Sequence, residues 1–533
     1  MGKIKFQRFK GIRKRRQTKK IVIREAIEEA TSTNEFRPIT PSFSTATTSA
    51  KKLEAFGLTL ESMQDEIVGM ESQVQMDNCF LIVSKQCLKK LFVELCCPNC
   101  NQTGVIFDTL KGNDMGFCSK AFTYCSLCQS KISQEYLSER VDRSESTQKP
   151  FEVNVRSVFA FRGIGCGYNA IKDWASMMNL PNSPSKDSYA TAKDKLFIGS
   201  GKAFEEVARK SVEVIKDRYK QIGTLPDCNG IVDIAVSYDG SWQRRGGGGH
   251  SSHNGVGAVI DVLTGLPIDY EVLCNFCHQC LKAPSADDPN YAEWQENHSL
   301  KCSKNYDGTA NSMEQECAKR LWNRSVAKYQ LRYTTMLSDG DSKAFDSVVE
   351  AKPYGNSITI VKEECINHVS KRMGTALVNL QQECRAQKDS ISGKGKLTRA
   401  KMLKIQNYYG RAIKDNADDV AMMKKRIFAI LFHLTSTDKN PKHVHCPPGE
   451  NSWCFWQRAV SKNENSGSHK EHETIPEDVG KKLVPIFQRL TDERLLKRCI
   501  RSRTQNPNES LHGLLWRFCP KITFVGRHMV EIA

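Results

Sequence analysis

Residues 231–240, IVDIAVSYDG, decide the fold, because an apolar run rich in β-branched residues ends there in an acid and a glycine. Residues 331–341, LRYTTMLSDGD, repeat this pattern further along the chain. Runs of this length and composition, bounded by Gly, Asp or Ser, are typical of buried strands. The two segments therefore predict two buried strands, each of which delivers an aspartate, Asp239 or Asp339, to the edge of a sheet.

Three further strands are predicted around these two. Residues 255–274, GVGAVIDVLTGLPIDYEVLC, have the pattern of two strands joined by a Thr-Gly turn, which predicts a hairpin. Residues 357–365, SITIVKEEC, predict a fifth strand. Helical periodicity dominates residues 151–222 and again from about residue 373 to residue 500. The sequence therefore predicts an α/β fold.

A third acid, Glu509, follows Asn508 at the start of an amphipathic helix in residues 504–516, TQNPNESLHGLLW. Two strand-end aspartates and a helical glutamate form a donor set for two divalent cations, which activate water or a hydroxyl in phosphodiester chemistry. The alternative is that the aspartates are turn residues and that Glu509 only favours the helix dipole.

Four segments occur in a fixed order: VSYDGSWQRRG, LRYTTMLSDGDSKAF, ECINHVSKRMGTA and TQNPNESLHGLLW. In this combination they resemble the Mutator-like transposase domain of eukaryotic cut-and-paste DNA transposons, from near residue 70 to about residue 528. The resemblance implies an RNase H-like core, which is a mixed five-stranded sheet with helices, carrying a helical insertion before the last catalytic helix. Small zinc-stabilised modules complete the expected α/β architecture.

The resemblance also implies a DDE triad, which falls on Asp239, Asp339 and Glu509. Asp341 is the fallback for the second acid, because the SDGD sequence puts two carboxylates within reach. The CxxH element of the family matches Cys365 and His368. For this pair, a role beside the active site or at the DNA end and an ordinary place in the core both remain open.

Twenty-one cysteines in a chain without a secretory signal favour metal sites over disulfides. Two CxxC turns predict a zinc site formed by Cys97, Cys100, Cys125 and Cys128, for which Cys96 or Cys118 is a possible substitute. A CxxC and an HxxxC predict a second site at Cys277, Cys280, His298 and Cys302, with Cys274 as an alternative thiol. A third group, His443, His445, Cys446 and Cys454, has looser spacing and weaker support. Loops with free thiols are the alternative for each group.

The charge of the chain favours nucleic acid as a partner. Lys and Arg number 78 against 60 acids, a net charge of +18, and the first twenty residues carry ten of the cations and no acid. Arg13–Arg16 have the pattern of a nuclear-import signal. Candidate DNA contacts are Arg244 and Arg245 near Asp239, and Lys394, Lys396, Arg399, Lys401 and Lys404 in the helical region. A solvated helix face is the alternative for the lysines.

The predicted organisation has four parts. They are a basic arm and Ser/Thr-rich linker at 1–50, a zinc-ribbon-like region at 51–148, a helical region at 151–225, and the catalytic core at 226–533 with a zinc-binding insertion at 274–302 and a helical insertion at 373–500. No apolar run approaches the roughly 18 residues of a membrane span, so no membrane partner is expected.

The expected function is that of a nuclear DDE-type DNA transposase. It binds the terminal inverted repeats and the target DNA as a homo-oligomer, and catalyses cleavage and strand transfer with two Mg²⁺ or Mn²⁺, while Zn²⁺ is structural. The main alternative is a catalytically silent nuclear DNA-binding protein, domesticated or truncated, derived from such an element. A weaker alternative is an RNase H-like nuclease without transposition.

Overall fold

A computed structural model describes residues 80–141, 149–243, 252–299, 302–340, 343–472, 474–521 and 524–533. The predicted basic arm and linker lie outside these ranges, as do the candidate residues Arg244, Arg245 and Asp341. The elements below all belong to the compact unit formed by Ser84–Ala533.

A small module comes first. Helix α1 (Lys85–Val93) precedes strands β1 (Val105–Thr109), β2 (Lys120–Cys125) and β3 (Lys131–Tyr136), which form an antiparallel sheet in that order. The buried centre of this module is Cys97, Val105 and Cys125. A core of this size supplies little hydrophobic stabilisation, so the module depends on another source of folding free energy.

Three helices link this module to the main sheet. They are α2 (Glu152–Gly163), α3 (Tyr168–Met177) and α4 (Lys186–Gln221). Helix α4 begins at Ser185, whose hydroxyl accepts the backbone N–H of Ser188 as an N-cap. Its second half packs Ile215 and Tyr219 into the core of the main sheet.

The main sheet contains β4 (Val232–Gln243), β5 (Asn254–Asp261), β6 (Pro267–Cys274), β7 (Leu331–Ser338) and β8 (Val361–Glu364). Their spatial order is β6-β5-β4-β7-β8. Strands β4, β5 and β6 pair antiparallel, whereas β7 is parallel to both β4 and β8. The predicted mixed sheet of five strands is therefore confirmed.

One detail of the sequence interpretation is wrong. The sequence predicts that Asp239 ends its strand, but β4 continues to Gln243 and pairs Asp239 with Ala258 of β5. The end of the apolar run coincides with the end of the parallel pairing with β7, whose last pair is Ser237 and Leu337. The antiparallel pairing with β5 continues beyond it. Asp239 is therefore paired with β5 on one side of β4, but it lies beyond the last residue that β4 pairs with β7 on the other side.

Helices α5 (Tyr291–Ser299), α6 (Ala310–Tyr329) and α7 (Lys343–Ala351) lie between the strands in the chain. A crossover is needed between parallel strands, and α6 covers the sheet as it leads from β6 to β7. Trp322 of α6 is fully buried, with its ring edge-on to Tyr238 and Tyr333 at 5.8 and 5.2 Å. Its indole N–H donates to the carbonyl of Tyr333 at 3.1 Å.

A helical region follows β8. Its helices are α8 (Ile366–Ala386), α9 (Arg399–Lys414), α10 (Val420–Leu434), α11 (Phe455–Ser461), α12 (Glu477–Leu490) and α13 (Glu493–Arg498), and they share a hydrophobic core of their own. The predicted boundary at residue 373 falls inside α8. Helices α14 (Asn506–Phe518) and α15 (Arg527–Ile532) then return to the main sheet. Within the described ranges, no helix has the length and apolar character needed to cross a membrane.

We predict that Trp322→Ala lowers the free energy of unfolding by about 3–5 kcal/mol, because it leaves a cavity between α6 and the sheet and removes a buried donor. Urea unfolding followed by circular dichroism measures the change. Leu225→Ala, at a largely exposed position, is the control and is expected to stay within about 0.5 kcal/mol of the parent. Equal effects of the two substitutions would contradict the packing of Trp322 between α6 and the sheet.

Candidate active site and metal clusters

Asp239 lies on β4, and Asp339 directly follows the adjacent parallel strand β7. The last paired residues of β4 and β7 are Ser237 and Leu337. Asp239 lies two residues after Ser237, and Asp339 lies two residues after Leu337. Side chains two residues apart on a strand point to the same face, and neighbouring strands are about 4.8 Å apart. The topology therefore brings the two carboxylates to one edge and one face of the sheet.

Glu509 reaches this edge because the first turn of α14 is hydrogen-bonded to the strands. The buried Gln505 donates from Nε2 to the carbonyl of Tyr238 at 2.8 Å. The buried Asn508 donates from Nδ2 to the carbonyl of Ala258 at 3.2 Å. These two amides fix the start of α14 against the backbone beside Asp239, so the carboxylate of Glu509 is held at the same end of the sheet.

Two histidines connect the acids. His368 Nδ1 lies 3.4 Å from Asp339 Oδ1, and its Nε2 lies 3.5 Å from Glu509 Oε1. His512 Nδ1 lies 3.3 Å from Asp239 Oδ2. The structure therefore brings the three predicted acids together in one constellation. Sequence reasoning missed His512, although its position three residues after Glu509 placed it on the same helix face.

The CxxH pair divides between two environments. Cys365 is buried at the start of α8, and its sulfur accepts the backbone N–H of Gln505 at 3.4 Å. One turn later, His368 faces the acids. Cys365 thus contacts the segment that leads into α14, and His368 contacts the carboxylates. The CxxH spacing therefore places one turn of α8 against both the start of α14 and the acids.

The contact between His368 and Asp339 shifts the pKa values of the two groups in opposite directions. The contact with Asp339 raises the pKa of His368 above its usual 6.5, despite partial burial. The same contact lowers the pKa of Asp339 to about 2. A protonated His368 between two carboxylates therefore offsets part of their mutual repulsion.

A fourth acid, Glu314, belongs to the same site. It lies on α6, and its side chain approaches the backbone of β4 beside Asp239. A Cβ added to Gly240 would lie only 3.1 Å from Glu314 Cγ. Burial, followed by the charges of Asp239 and Asp339, raises the pKa of Glu314 to about 7. Sequence reasoning missed it because it lies near the start of a helix, in no strand-end pattern.

The donor set suits a hard divalent cation. Four carboxylates supply only oxygen, which Mg²⁺ and Mn²⁺ prefer over nitrogen or sulfur. The side chains of Asp339 and Glu509 are 57% and 49% exposed, so both are accessible from solvent. Asp239, Asp339, Glu509 and Glu314 are therefore ligands of the type that Mg²⁺ and Mn²⁺ prefer.

A cationic cleft of about 820 Å³ opens beside Asp339 and His368. Its lining includes the cations Lys371, Arg372, Arg489, Arg494 and Arg498, from α8, α12 and α13. Arg372 Nη2 lies 2.8 Å from the buried Glu364, and Arg498 Nη1 lies 3.4 Å from the same carboxylate. Sequence reasoning had not singled out these arginines, because they come from three separate segments.

The predicted basic segment lies elsewhere. Among the described residues that line the cleft, none belongs to residues 394–404. Lys394, Arg399 and Lys404 are exposed, but Lys401 is buried and donates to the carbonyl of Thr474 at 2.5 Å. Lys401 is therefore removed from the candidate DNA contacts, and Lys396, which donates to the carbonyl of Ser390 at 2.9 Å, is half-buried.

The first predicted zinc group assembles in the N-terminal module. The sulfurs of Cys97 and Cys128 are 3.7 Å apart, and so are those of Cys100 and Cys125. Sulfurs bound tetrahedrally at the usual Zn–S length are about 3.8 Å apart. These four residues form a group that could hold a metal, and neither Cys96 nor Cys118 belongs to it.

The second predicted group also assembles. His298 Nε2 lies 3.5 Å from the sulfur of Cys277 and 3.1 Å from that of Cys280, and Cys302 completes the group. The other ring nitrogen of His298 is 2.8 Å from Gln279 Oε1, which favours the tautomer that leaves Nε2 free for a metal. Cys274, the alternative thiol, is buried outside the group.

The third group differs from its prediction in one member. His433, His443, Cys446 and Cys454 come together, whereas His445 is exposed and lies outside the cluster. His433 was missed because it lies in α10, well before the loop that carries the other three.

We predict that Glu314→Gln removes a pH-dependent loss of stability. The pKa of Glu314 is about 7 in the folded protein and near 4.5 when unfolded, so its contribution is largest below pH 4.5 and is lost as the pH rises to 7. In buffer without divalent cations, the stability of the variant relative to the parent should rise between pH 5 and pH 7 and then level off.

Glu316→Gln on the same helix is the matched control. Despite burial, hydrogen bonds from Arg320 and Lys319 lower the pKa of Glu316, so its contribution is present above the unfolded pKa. This variant should lose relative stability as the pH rises from 3 to 5. A relative stability of the Glu314→Gln variant that is independent of pH would contradict the assignment.

We predict that Cys100→Ser removes one zinc ion from the purified protein and destabilises the N-terminal module, because a three-ligand site binds the metal more weakly. Metal analysis and limited proteolysis measure the two effects. Cys96→Ser, which changes the exposed neighbouring thiol, is the control and should keep the full metal content. Equal metal content in both variants would show that the four sulfurs do not bind zinc.

A family model described as Mutator-like transposase matches residues 80–454, more than two thirds of the chain. The matched region contains Asp239, Asp339, Glu314 and the CxxH pair, whereas Glu509 and His512 lie after it. No curated protein matches the chain. With its match covering most of the sequence, the chain belongs to the Mutator-like transposase family.

Proposed function

We propose that this protein is a DDE-type transposase that binds transposon ends and catalyses metal-dependent DNA cleavage and strand transfer. The observation that carries the proposal is the convergence of Asp239, Asp339 and Glu509, which come from two adjacent parallel strands and a helix far apart in sequence. Membership in the transposase family supports the same reading.

The sheet is proposed to be an RNase H-like core. In support, it has five strands of mixed direction, with Asp239 on β4 and Asp339 directly after the adjacent parallel strand β7. The helical region from α8 to α13 separates these strands from the helix that carries Glu509. This is the arrangement that the resemblance implies.

In the proposed mechanism, Asp239, Asp339, Glu509 and Glu314 would hold the divalent cations. When bound, Mg²⁺ or Mn²⁺ supplies activation of the attacking oxygen and stabilisation of the leaving oxygen. The chain itself contributes positioning. His368 orients Asp339 and Glu509, and Gln505 fixes α14 against β4.

The cleft beside Asp339 is the proposed binding site of the DNA backbone. Arginine binds phosphate oxygens through planar paired donors, and five cations line this cleft next to the acids. Arg372 and Arg498 are held by Glu364, which limits their movement before DNA arrives. Terminal inverted repeats and target DNA are the proposed ligands, more than one copy of the protein is proposed to act on them, and the proposed location is the nucleus.

We predict that Asp239→Asn abolishes DNA cleavage while binding to DNA persists, because the substitution removes a metal-holding carboxylate and leaves the cationic cleft intact. The assay combines purified protein, Mg²⁺ or Mn²⁺, and labelled DNA with the inverted repeats that flank the element. Gel analysis of nicked and joined products, beside a binding assay across salt concentrations, measures both effects.

Asp233→Asn is the matched control, because Asp233 lies on the same strand away from the acids and pairs with Arg332. Its cleavage should remain near that of the parent. Cutting by the Asp239→Asn variant would refute the triad, and cutting without joining by the parent would identify a nuclease instead of a transposase. Salt-sensitive binding without any cleavage by the parent would favour the silent DNA-binding protein.

A further inference from the structure

Four side chains in the helical region form a buried cluster outside the constellation of acids. His433 lies in the last turn of α10, His443 and Cys446 lie in the following loop, and Cys454 caps α11. All four are buried, with His443, Cys446 and Cys454 at most 2% exposed. Two imidazoles and two thiols in a water-excluded place form the ligand type that zinc prefers.

The distances within the cluster match a tetrahedron around one ion. The Nδ1 atoms of His433 and His443 are 3.2 Å apart. The sulfur of Cys454 lies 3.5 Å from His443 Nδ1, and the sulfur of Cys446 lies 3.9 Å from His433 Nδ1. Tetrahedral zinc at its usual bond lengths places two nitrogens about 3.3 Å apart and nitrogen and sulfur about 3.6 Å apart. The facing atoms are thus spaced as ligands of one centre.

A chain of hydrogen bonds sets the tautomer of His443. Its Nε2 is 2.9 Å from His469 Nε2, and His469 Nδ1 is 2.6 Å from the carboxylate of Asp438. With the proton of His469 on Nδ1 beside the carboxylate, its Nε2 accepts, and it faces both His443 Nε2 and the hydroxyl of Ser436, which lies 2.8 Å away. A proton on His443 Nε2 satisfies its contact with His469. The remaining nitrogen, Nδ1 of His443, then carries a lone pair that faces the cluster. A carboxylate behind a ligating histidine is the usual support of a zinc site.

The surrounding structure gives the metal a mechanical role. The segment between α10 and α11 spans residues 435–454 and contains no helix or strand, with a single isolated bridge between Thr437 and Asn440. Loops of this length without secondary structure are uncommon in compact domains. Nevertheless, Cys446, Trp453 and Cys454 are part of the hydrophobic core of the helical region. A bound ion would fix this loop to both flanking helices.

We propose that His433 Nδ1, His443 Nδ1, Cys446 Sγ and Cys454 Sγ bind one structural Zn²⁺ that joins α10 to α11. The site is closed, because four protein ligands complete the tetrahedron and the aromatic rings of Trp453, Phe455 and Trp456 pack around the histidines. The proposal is independent of the proposed transposase activity, since it rests on this cluster alone.

The test is the zinc content of the purified full chain, measured by elemental analysis after removal of loosely bound metal. The three clusters predict three zinc ions per chain for the parent. Cys454→Ser should reduce this number to two, whereas the matched control His445→Asn, at the exposed neighbouring histidine, should retain three. Equal zinc contents in the parent and the Cys454→Ser variant would overturn the proposal.

A second variant keeps the test decisive if Cys454→Ser does not fold. His433→Cys preserves four ligands and converts the site from two thiolates to three. With Co²⁺ in place of zinc, this variant should retain three metal ions and show stronger thiolate-to-cobalt absorption in the near ultraviolet than the parent. An unchanged spectrum would mean that residue 433 does not touch the metal, and the proposed ligand set would be wrong.

Discussion

The candidate site depends on two buried amides that tie the start of α14 to the main sheet. Gln505 and Asn508 donate to carbonyls of β4 and β5, and both side chains are almost entirely buried. Buried amides are costly without partners, so these bonds are strongly favoured once the helix has docked. They fix the one helix whose carboxylate must meet acids on strands more than 150 residues earlier in the chain.

The charge distribution at the site follows from that convergence. Four carboxylates gather at this edge. Burial, followed by the charges of Asp239 and Asp339, raises the pKa of Glu314, and a histidine lies between Asp339 and Glu509. Cations of the neighbouring cleft extend this pattern outward from the acids. An acidic centre for metal ions beside a basic surface for phosphates is what phosphodiester chemistry on DNA requires.

The clusters of cysteine and histidine address a different constraint. The N-terminal module has a core of only a few buried residues, and the segment 435–454 is a long loop without regular structure. In the module, hydrophobic burial provides little stabilisation, and in the segment 435–454 no regular secondary structure orders the backbone; groups of potential ligands lie in both places. Metal binding in these segments would therefore act on folding rather than on the chemistry at the acids.

The sequence by itself determined the local features of this protein, whereas only the tertiary structure decided which distant residues meet. Alternating and apolar runs identified the five strands, CxxC and HxxxC spacing predicted the members of two clusters, and the ordered motifs identified the family and predicted three acids that the fold brings together. These signals are local because periodicity and ligand spacing are read within a few residues. Glu314 and His433 carry no local pattern, and His512 carries only its spacing from Glu509; all three join their sites because α6, α14 and α10 pack where they do. The same reason removed Lys401 from the basic face, since burial and long-range contact depend on the whole packed chain.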